Sequence, residues 1–573
     1  MKNKAIAEIL TQLADLLEIK GELPFKINAY RRASRVIEEL QQDIELVWQE
    51  KQLRQLPGIG EAMAKKIDEY LTTGQMSKLE ALKQEIPDTL VQLLKIQNLG
   101  PKTLALAHHK LGVNNLSDLY RVMDDGSLAE LPGMGPKKIE NLRKGIELFQ
   151  SAAERISIGI AYPLIEQIIQ ALRDRVRLER ISPAGSARRM RETVGDLDLL
   201  VATDYGTKVV NAFVQLPMVQ RVLAAGDTKG SVIIENGIQV DLRAVPLASF
   251  GAALQYFTGS QAHNIKLRGI ARRQGLKISE YGIFRDEQML GGATEEEIYQ
   301  QLNLPWIPPE LREDRGEIEA AAENKLPKLI EMRHLRGDLH VHSNYSDGHA
   351  PMEAMVTAAK ALGYHYLAFC DHSQSAHYAH GLTPERLRQQ IDEIRALNKK
   401  YPDFKILTGT EVDILADGRL DFPDDLLQEL DIVVASIHSG FKQKVTERII
   451  AALENPLVDI LGHPTGRLIS QREGYEVDLA KIFDVAARTG TALEINAHPA
   501  RLDLSDTNAR LAIEKKIMLA INTDAHEPEQ LKLMRFGVGT ARRGWVTPPN
   551  VLNSKTIEEL LAWKKQRLNQ RRK

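Results

Sequence analysis

The chain has 573 residues, which at about 150 residues per domain predicts roughly four domains. Its 75 basic and 77 acidic side chains leave a formal charge of −2, so no positive field covers the whole molecule. Contact with a polyanion must therefore come from local patches or backbone N–H groups. The single cysteine, Cys370, excludes an intrachain disulfide, and no apolar run approaches the ~20 residues of a membrane span, so we expect a soluble, cytoplasmic protein.

Residues 1 to about 150 have the apolar spacing of helices, as at Ile6, Leu10 and Leu13, interrupted by three glycine hairpins. The hairpins read Leu-Pro-Gly-Ile-Gly at 56–60, Asn-Leu-Gly-Pro-Lys at 98–102 and Leu-Pro-Gly-Met-Gly-Pro-Lys at 131–137. Glycine permits a tight turn and lets backbone N–H groups approach a phosphate. One hairpin would be a plain helix connector, whereas three predict sequence-independent binding of the DNA backbone. The residues expected at the phosphates are Gly58, Gly60, Gly100, Lys102, Gly133, Gly135 and Lys137.

From about residue 180 the pattern changes to strands. Asp196 and Asp198 are two residues apart in an alternating run, so both face the same side of a strand. Asn-Gly at 236–237 predicts a two-residue hairpin turn, and the strand that follows it carries Asp241. Three carboxylates without histidine suit Mg²⁺ (or Mn²⁺), and two such ions stabilise the attacking and leaving oxygens of phosphoryl transfer.

A Gly-Ser pair, Gly185-Ser186, precedes these acids and predicts a backbone turn that holds a phosphate, with Arg188 and Arg189 adding charge. The alternative is a surface hairpin with solvated acids. The clustering of like charges favours the first interpretation, because such a cluster needs a bound cation to be tolerated.

The last third of the chain has seven short apolar strands, each ending in a polar cluster and separated from the next by helical or loop segments. This alternation predicts a parallel sheet, and polar groups at the carboxyl ends of the strands predict a distorted seven-stranded β/α barrel.

Imidazoles and carboxylates collect at these strand ends, where they suit zinc, manganese or iron. The nine candidate ligands are His340, His342, Asp347, His372, Glu411, His438, His463, Asp524 and His526. They exceed what one ion takes, so we expect two or three ions with Glu411 as a bridge, able to activate water at a phosphodiester. His498 also lies at a strand end, and we expect it to support the ligands rather than to be one.

The sequences at 340–348, 371–373 and 524–526 resemble the polymerase and histidinol phosphatase (PHP) family, over about residues 335–573. The resemblance implies a trinuclear phosphoesterase site with all nine ligand positions filled.

The sequences Gly-Ser-Ala-Arg-Arg at 185–189, Gly-Asp-Leu-Asp at 195–198 and Tyr-Phe-Thr-Gly-Ser at 256–260 resemble the nucleotidyltransferase palm of family X DNA polymerases. The resemblance implies catalysis by Asp196, Asp198 and Asp241. It also implies nucleotide contacts from Gly185, Ser186, Arg189, Gly195, Tyr256, Phe257, Gly259, Asn264 and Arg268. Gln261 and Gln239 depart from the pattern, since beta-type enzymes have an aspartate and an arginine there.

The sequences at 25–32 and 56–69 resemble the small N-terminal domain of beta-type enzymes. The resemblance implies that Lys26 and Tyr30 bind the 5′-phosphate of a DNA gap and that Lys66 is the Schiff-base nucleophile of a deoxyribose-phosphate lyase. Ala62 replaces a lysine of that pocket, which weakens the case for the lyase.

Together these patterns predict a multidomain protein of the α+β and α/β classes. We expect an N-terminal helix-hairpin-helix domain at 1–85, helix-hairpin-helix fingers at 86–150, a nucleotidyltransferase palm at 151–247, a thumb at 248–310, a linker at 311–334 and a distorted (β/α)7 PHP barrel at 335–573.

We therefore expect a DNA-directed DNA polymerase that uses deoxynucleoside triphosphates to fill short, 5′-phosphorylated gaps in base excision repair. The PHP barrel is expected to act as a 3′–5′ exonuclease and, by family analogy, as an AP endonuclease. Two alternatives remain open: a barrel that hydrolyses small phosphomonoesters, and a DNA end-binding scaffold whose barrel metals are structural.

Overall fold

The computed structural model describes residues 2–38, 44–56, 58–94, 96, 99–153 and 155–571. Pro57 and Asn98, which belong to two of the predicted hairpins, lie outside the described residues. The chain divides into two compact units: residues 1–154 with 376–380, and residues 155–375 with 381–573. No helix in the described ranges is long and apolar enough to cross a membrane.

The first unit is helical. Its helices are α1 (Lys2–Ile19), α2 (Pro24–Glu38), α3 (Ile44–Gln49), α4 (Glu61–Thr73), α5 (Ser77–Glu85), α6 (Asp88–Leu93), α7 (Pro101–Leu111), α8 (Leu116–Asp124) and α9 (Pro136–Ala153). The apolar residues that recur at helical spacing, including Ile6, Leu10 and Leu13, are fully buried in one core.

The second unit begins with the palm. Its elements are β1 (Ile156–Ser157), α10 (Ile158–Arg173), β2 (Arg180–Pro183), α11 (Gly185–Arg188), β3 (Thr193–Val194), β4 (Leu197–Ala202), α12 (Gly206–Val214), β5 (Val219–Ala225), β6 (Lys229–Ile234) and β7 (Gln239–Val245). Five of the strands form a sheet in the order β2-β4-β7-β6-β5, with β4 parallel to β7. Leucine, isoleucine and valine side chains of these strands and of α10 and α12 form the palm core.

The turn between β6 and β7 differs from the predicted two-residue hairpin. Ile233 pairs with Gln239, and the chain between them contains a three-residue 3₁₀ turn at Glu235–Gly237. Gly237 has a φ of +75°, so the glycine serves the turn as expected although the turn is longer.

The thumb follows the palm. Its elements are α13 (Phe250–Thr258), α14 (Gln261–Arg273), β8 (Lys277–Ser279), β9 (Gly282–Arg285), β10 (Gln288–Gly291), α15 (Glu295–Gln300) and α16 (Glu317–Ala322). Part of the segment predicted as a linker is packed structure, since Leu311, Ile318 and Leu329 are buried in the same core as Leu267 of α14. The sequence did not indicate this packing, because the apolar side chains of the segment are widely spaced among charged residues.

The barrel completes the unit. Its elements are β11 (Gly337–Val341), α17 (Met352–Ala361), β12 (Tyr366–Phe369), α18 (Pro384–Lys400), β13 (Lys405–Asp413), α19 (Asp424–Leu427), β14 (Ile432–Ser436), α20 (Val445–Glu454), β15 (Ile460–Leu461), α21 (Leu479–Thr489), β16 (Ala492–Asn496), α22 (Asp506–Glu514), β17 (Leu519–Asn522), α23 (Met534–Arg543) and α24 (Ile557–Arg571).

The seven barrel strands are parallel and follow chain order from β11 to β17. A parallel bridge between Val341 and Ala525 brings the two ends of the sheet together, so the barrel is nearly closed. The prediction of a distorted seven-stranded barrel is confirmed, and its strand ends meet at one rim.

Candidate active sites and nucleic-acid interface

The palm carboxylates lie on two neighbouring parallel strands. Asp198 of β4 is directly opposite Asp241 of β7, and Asp196 immediately precedes β4. Burial raises the pKa of Asp198 to about 7, and the charges of Asp196 and Asp241 act in the same direction. A divalent cation would relieve this repulsion, so the three side chains fit a Mg²⁺ or Mn²⁺ site.

The phosphate-binding turn predicted at Gly185-Ser186 lies against these acids. Gly185 has a φ of +58°, and a Cβ built on it would lie 2.1 Å from Asp198 Oδ2. The backbone N–H of Ala184 donates a hydrogen bond to the Asp198 carbonyl at 2.8 Å. The turn and the candidate metal-binding carboxylate are therefore placed together.

The arginines after this turn reach the thumb. Arg188 donates to both oxygens of Glu295, at 2.8 Å each, and to the Thr258 hydroxyl at 2.6 Å. Arg189 donates to Glu313 Oε1 at 3.1 Å and to the Thr258 carbonyl at 2.5 Å. Both arginines are therefore held in ion pairs, and Arg189 would have to leave Glu313 in order to bind a triphosphate.

The predicted sugar and base contacts form a neighbouring group. The rings of Tyr256 and Phe257 meet edge to face at 5.1 Å, and the Arg268 guanidinium lies 5.9 Å from the Tyr256 ring. Asn264 Nδ2 donates to the Tyr256 carbonyl at 2.7 Å. A Cβ on Gly259 would lie 3.2 Å from Arg189 Nη1, which joins this group to the phosphate turn.

Of the other two predicted nucleotide residues, Ser186 is inside α11 and Gly195 is in the loop between β3 and β4. Gln239, at the position where beta-type enzymes carry arginine, donates to Asp241 Oδ1 at 3.2 Å. Ser231 Oγ also donates to Asp241 Oδ1, and Lys229 Nζ is 3.5 Å from Asp241 Oδ2.

Glu411 is the centre of the candidate metal site in the barrel. Its Oε1 lies 2.9 Å from His463 Nε2 and 3.2 Å from His438 Nε2, and its Oε2 lies 3.0 Å from His372 Nδ1. Burial opposes ionisation of Glu411, but the charges of His438 and His372 outweigh it and hold the pKa well below its usual range. A buried carboxylate with imidazoles at both oxygens has the arrangement of a bridging ligand.

The remaining candidate ligands surround this centre. His342 Nε2 is 3.0 Å from Asp524 Oδ1, and His526 Nε2 is 3.3 Å from Asp347 Oδ1. His340, His342, Glu411 and Asp524 form one group of potential ligand atoms within 4.8 Å of one another. His342, Asp347, His372 and His526 form a second group, and His372, Glu411 and His438 form a third. The structure thus brings all nine predicted residues together.

Buried nitrogen atoms show that this donor set fits metal ions. Among the described residues, His340 Nε2 and His342 Nδ1 are buried without a hydrogen-bond partner. Burial opposes protonation of His340, but the charges of Glu494 and Glu411 outweigh it and hold the pKa well above its usual range. A bound cation would satisfy the buried nitrogens and replace such protons.

Two acidic residues that sequence analysis missed orient the histidines. Glu494 Oε1 lies 2.8 Å from His340 Nδ1, and Asp413 Oδ1 lies 2.6 Å from His438 Nδ1. A carboxylate on the second ring nitrogen fixes the tautomer and direction of a metal-binding imidazole. The available signal was an acidic residue between two apolar neighbours, as Glu494 is between Leu493 and Ile495 in β16. His498 is only partly buried, and its Nδ1 accepts from the Ala500 N–H at 3.2 Å.

The described residues of the hairpins in the first unit include two glycines in the left-handed region. Gly58 and Gly133 adopt φ values of +81° and +80°, which glycine favours. Gly60 and Gly100 are the N-cap residues of α4 and α7, so the N–H groups of those helix ends are available to an anion. Gly135 lies just before α9, and the side chains of Lys102 and Lys137 are exposed.

The predicted 5′-phosphate pocket lies on neighbouring helices of this unit. Lys66 Nζ of α4 is 5.9 Å from the centre of the Tyr30 ring of α2 and donates to the Ala62 carbonyl at 3.2 Å. Lys26, one turn before Tyr30, pairs with Glu22 at 3.2 Å.

Family comparisons agree with this architecture. The sequence matches the models for a helix-hairpin-helix domain at 1–76, a tandem helix-hairpin-helix at 90–147, the DNA polymerase beta thumb at 253–313 and the PHP domain at 338–498. The thumb match extends into the segment predicted as a linker.

Similar proteins share either the whole chain or one part of it. A DNA polymerase/3′-5′ exonuclease PolX of Bacillus subtilis (strain 168) is 42% identical over 99% of this chain and 100% of its own. A probable phosphatase of Thermoanaerobacter sp. (strain X514) is 29% identical over 40% of this chain and 96% of its own. DNA polymerase lambda of Arabidopsis thaliana is 27% identical over 54% of this chain and 62% of its own. The chain belongs to the family X DNA polymerases that carry a C-terminal PHP domain.

Proposed function

We propose that this protein fills short gaps in DNA with its palm and trims 3′ ends with its PHP barrel. The observation that carries the proposal is the presence of two separate sites in one unit. One is the paired carboxylates Asp198 and Asp241, and the other is the histidine cluster around Glu411. A helical unit with three glycine hairpins supplies sequence-independent contacts to DNA.

The palm residues support nucleotidyl transfer. Asp196, Asp198 and Asp241 would hold Mg²⁺ or Mn²⁺, which when bound stabilises the attacking and leaving oxygens of an in-line displacement. Backbone N–H groups after Gly185, with Ser186, Gly195 and Arg189, bind the triphosphate. Tyr256, Phe257 and Gly259 flank the sugar, Asn264 faces the base, and Arg268 faces the template.

The barrel residues support phosphodiester hydrolysis. The nine predicted ligands would hold up to three manganese, zinc or iron ions, which supply an activated water and neutralise phosphate oxygens. Glu494 and Asp413 hold His340 and His438 in the direction that ligation requires. We assign 3′–5′ exonuclease activity to this site and extend it to cleavage at abasic sites, in a cytoplasmic repair pathway.

A second activity is assigned to the first unit. Lys26 and Tyr30 bind the 5′-phosphate of a gap, and Lys66 removes a deoxyribose phosphate through a Schiff base. Borohydride should trap a covalent adduct on DNA that carries a 5′-deoxyribose phosphate, and Lys66→Ala should abolish it. The matched control is Lys65→Ala, because Lys65 is exposed and pairs only with Glu61 among the ion pairs of the described residues. An equal adduct in both variants would remove the lyase assignment.

The test of the two main activities uses a 5′-phosphorylated one-nucleotide gap with Mn²⁺, with and without nucleotides. Asp198→Ala should lose extension and keep 3′ trimming, and His342→Ala should do the reverse. Trimming that persists in His342→Ala would place the nuclease outside the barrel.

Hydrolysis of small phosphomonoesters in preference to DNA would favour the phosphatase alternative. Loss of folding on mutation of Glu411 would favour the scaffold.

A further inference from the structure

A cleft of about 270 Å³ lies between the palm and the barrel, and four arginines line it. Arg191 follows α11 in the palm, and Arg315 precedes α16. Arg467 follows β15, and Arg543 ends α23 of the barrel. Guanidinium groups from three parts of the unit therefore face one space.

The charge balance of the cleft is positive. Glu192 and Asp506 are its two lining carboxylates, against four guanidinium groups. Glu313 is not one of the lining residues, and it accepts hydrogen bonds from Arg189 and Arg543. The excess of positive charge suits a ligand that brings its own negative charge.

The lining carboxylates hold three of the arginines in place. Asp506 Oδ2 accepts from Arg315 and Arg543, at 2.9 Å each. Glu192 accepts from Arg467 at 2.8 Å. These pairs orient the guanidinium groups before any ligand arrives, which reduces the entropy lost on binding.

Arg191 and Arg315 are the accessible members of the group. Their side chains are 39% and 36% exposed, compared with 5% for Arg543. Arg191 Nη1 is 3.8 Å from Glu313 Oε1, which is longer than a hydrogen bond. The hydroxyl groups of Ser505, Thr507 and Thr540 also line the cleft and can donate to an oxyanion.

Two of the cleft arginines are connected to residues of the active sites, one along the chain and one through a hydrogen bond. Arg191 lies three residues after α11, whose first residue, Gly185, packs on Asp198. Arg467 Nε donates to the Arg501 carbonyl at 2.9 Å, and Arg501 Nε is 3.9 Å from Asp524 Oδ2 of the barrel cluster. Arginines of the cleft therefore lie near chain segments that contribute to the palm site and to the barrel site.

We propose that this cleft binds the phosphodiester backbone of the primer 3′ strand as the strand moves from the palm to the PHP site. The inference rests on the proposed pairing of a polymerase and a 3′ nuclease. Guanidinium groups recognise phosphate oxygens without reading the bases, so the contact serves any sequence. A free triphosphate offers the same oxygens, and the experiment separates the two ligands.

The first measurement is the binding of full-length protein to duplexes in EDTA, where no strand is cut, over a series of salt concentrations. One duplex has a mismatched, frayed primer 3′ end, and the other is fully paired. For the frayed duplex we expect Arg191→Ala/Arg315→Ala to weaken binding about tenfold. We also expect the salt dependence to become shallower by about 1.4 in logarithmic slope, the value for two lost single-strand phosphate contacts. Binding of the paired duplex should not change.

Two controls accompany this variant. Arg395→Ala removes one exposed charge from α18, where Arg395 pairs with Asp392, and should behave as wild type. Arg191→Lys/Arg315→Lys keeps both charges and should keep most of the salt dependence. The proposal would be overturned if the double lysine variant lost as much binding affinity as the double alanine variant. It would also be overturned if the double alanine variant lost as much affinity for the paired duplex as for the frayed duplex.

The second measurement adds Mn²⁺ and a DNA trap to the bound, frayed duplex. The alanine pair should trim fewer ends per encounter while hydrolysing bis(p-nitrophenyl) phosphate at the wild-type rate. A free nucleotide would be the ligand of the cleft if inorganic triphosphate competed with DNA in the wild type only and the double alanine variant bound the strand as the wild type does. That result would overturn the strand proposal. Failure of the wild type to trim would instead overturn the proposed nuclease, and the binding arm would still decide the cleft.

Discussion

Gly185 packs so closely on Asp198 that only glycine fits at this position. A Cβ at residue 185 would lie 2.1 Å from Asp198 Oδ2, and Gly185 has a positive φ of +58°. The turn that would bind the triphosphate therefore also restricts the position of Asp198, a candidate metal ligand. Any side chain at residue 185 must move Asp198, the backbone or both.

We expect Gly185→Ala to slow primer extension by about 100-fold or more, since a displacement of about 1 Å in a catalytic site has an effect of that size. Trimming of 3′ ends should be unchanged. Gly237→Ala is the control: Gly237 also has a positive φ, but a Cβ there would meet nothing within 4 Å. Equal slowing by both variants in single-turnover extension would refute the role of the Asp198 contact.

Glu494 should determine how tightly the barrel holds metal. Glu494→Gln removes the carboxylate 2.8 Å from His340 Nδ1, and loss of such a partner lowers metal affinity by about 10–100-fold. Titration of the metal-free protein with Mn²⁺ measures the change directly. The control is Glu454→Gln, because Glu454 is an exposed residue of α20 that pairs with Arg488. Unchanged Mn²⁺ affinity in Glu494→Gln would count against the orienting role.

The ion pairs of Glu295 join the palm to the thumb. Glu295 is 5% exposed and accepts from Arg188 and from the fully buried Arg312. Glu295→Ala would leave two guanidinium groups without their buried anion, which costs about 3–5 kcal/mol of stability. Hydrogen exchange of the α15 amides should report the loss as faster exchange. Glu296→Ala changes the exposed neighbour and should leave that exchange rate as it is in the wild type.

His263 makes the stability of the thumb depend on pH. Burial lowers the pKa of His263 below its ordinary value of 6.5, although the hydrogen bond to Glu317 at 2.7 Å acts in the opposite direction. Because the unfolded chain takes up a proton near pH 6.5 and the folded thumb does not, the stability conferred by neutral His263 is present above that pH. It is lost as the pH falls through 6.5 towards the folded-state pKa.

We therefore expect the denaturant concentration at the unfolding midpoint to decrease when the pH is lowered from 7.5 to 5.5. The decrease should be smaller in His263→Gln. His365→Gln is the control, since His365 is exposed. It should retain the wild-type pH dependence. A His263→Gln variant with the full wild-type dependence would show that another group carries the effect.

Several site residues were predictable because their pattern is local. Alternation predicted Asp196 and Asp198 on one side of a strand, and the structure puts Asp198 in β4 and Asp196 immediately before it. Strand ends rich in histidine predicted the nine candidate ligands, which the barrel brings together. Residues whose roles depend on distant partners were missed. Glu494 and Asp413 orient His340 and His438, which are distant from them in the chain. The buried guanidinium of Arg312 pairs with Glu295, 17 residues before it.

The sequence by itself determined the kinds of element, the order of the domains along the chain and the candidate ligands, because periodicity and residue type act over a few neighbours. Tertiary structure decided which carboxylates orient the histidines and that part of the segment at 311–334 packs into the thumb core. It also decided that arginines 191, 315, 467 and 543 face one cleft. These relationships join residues far apart in the chain, and their energies arise only when folding removes water from between the partners.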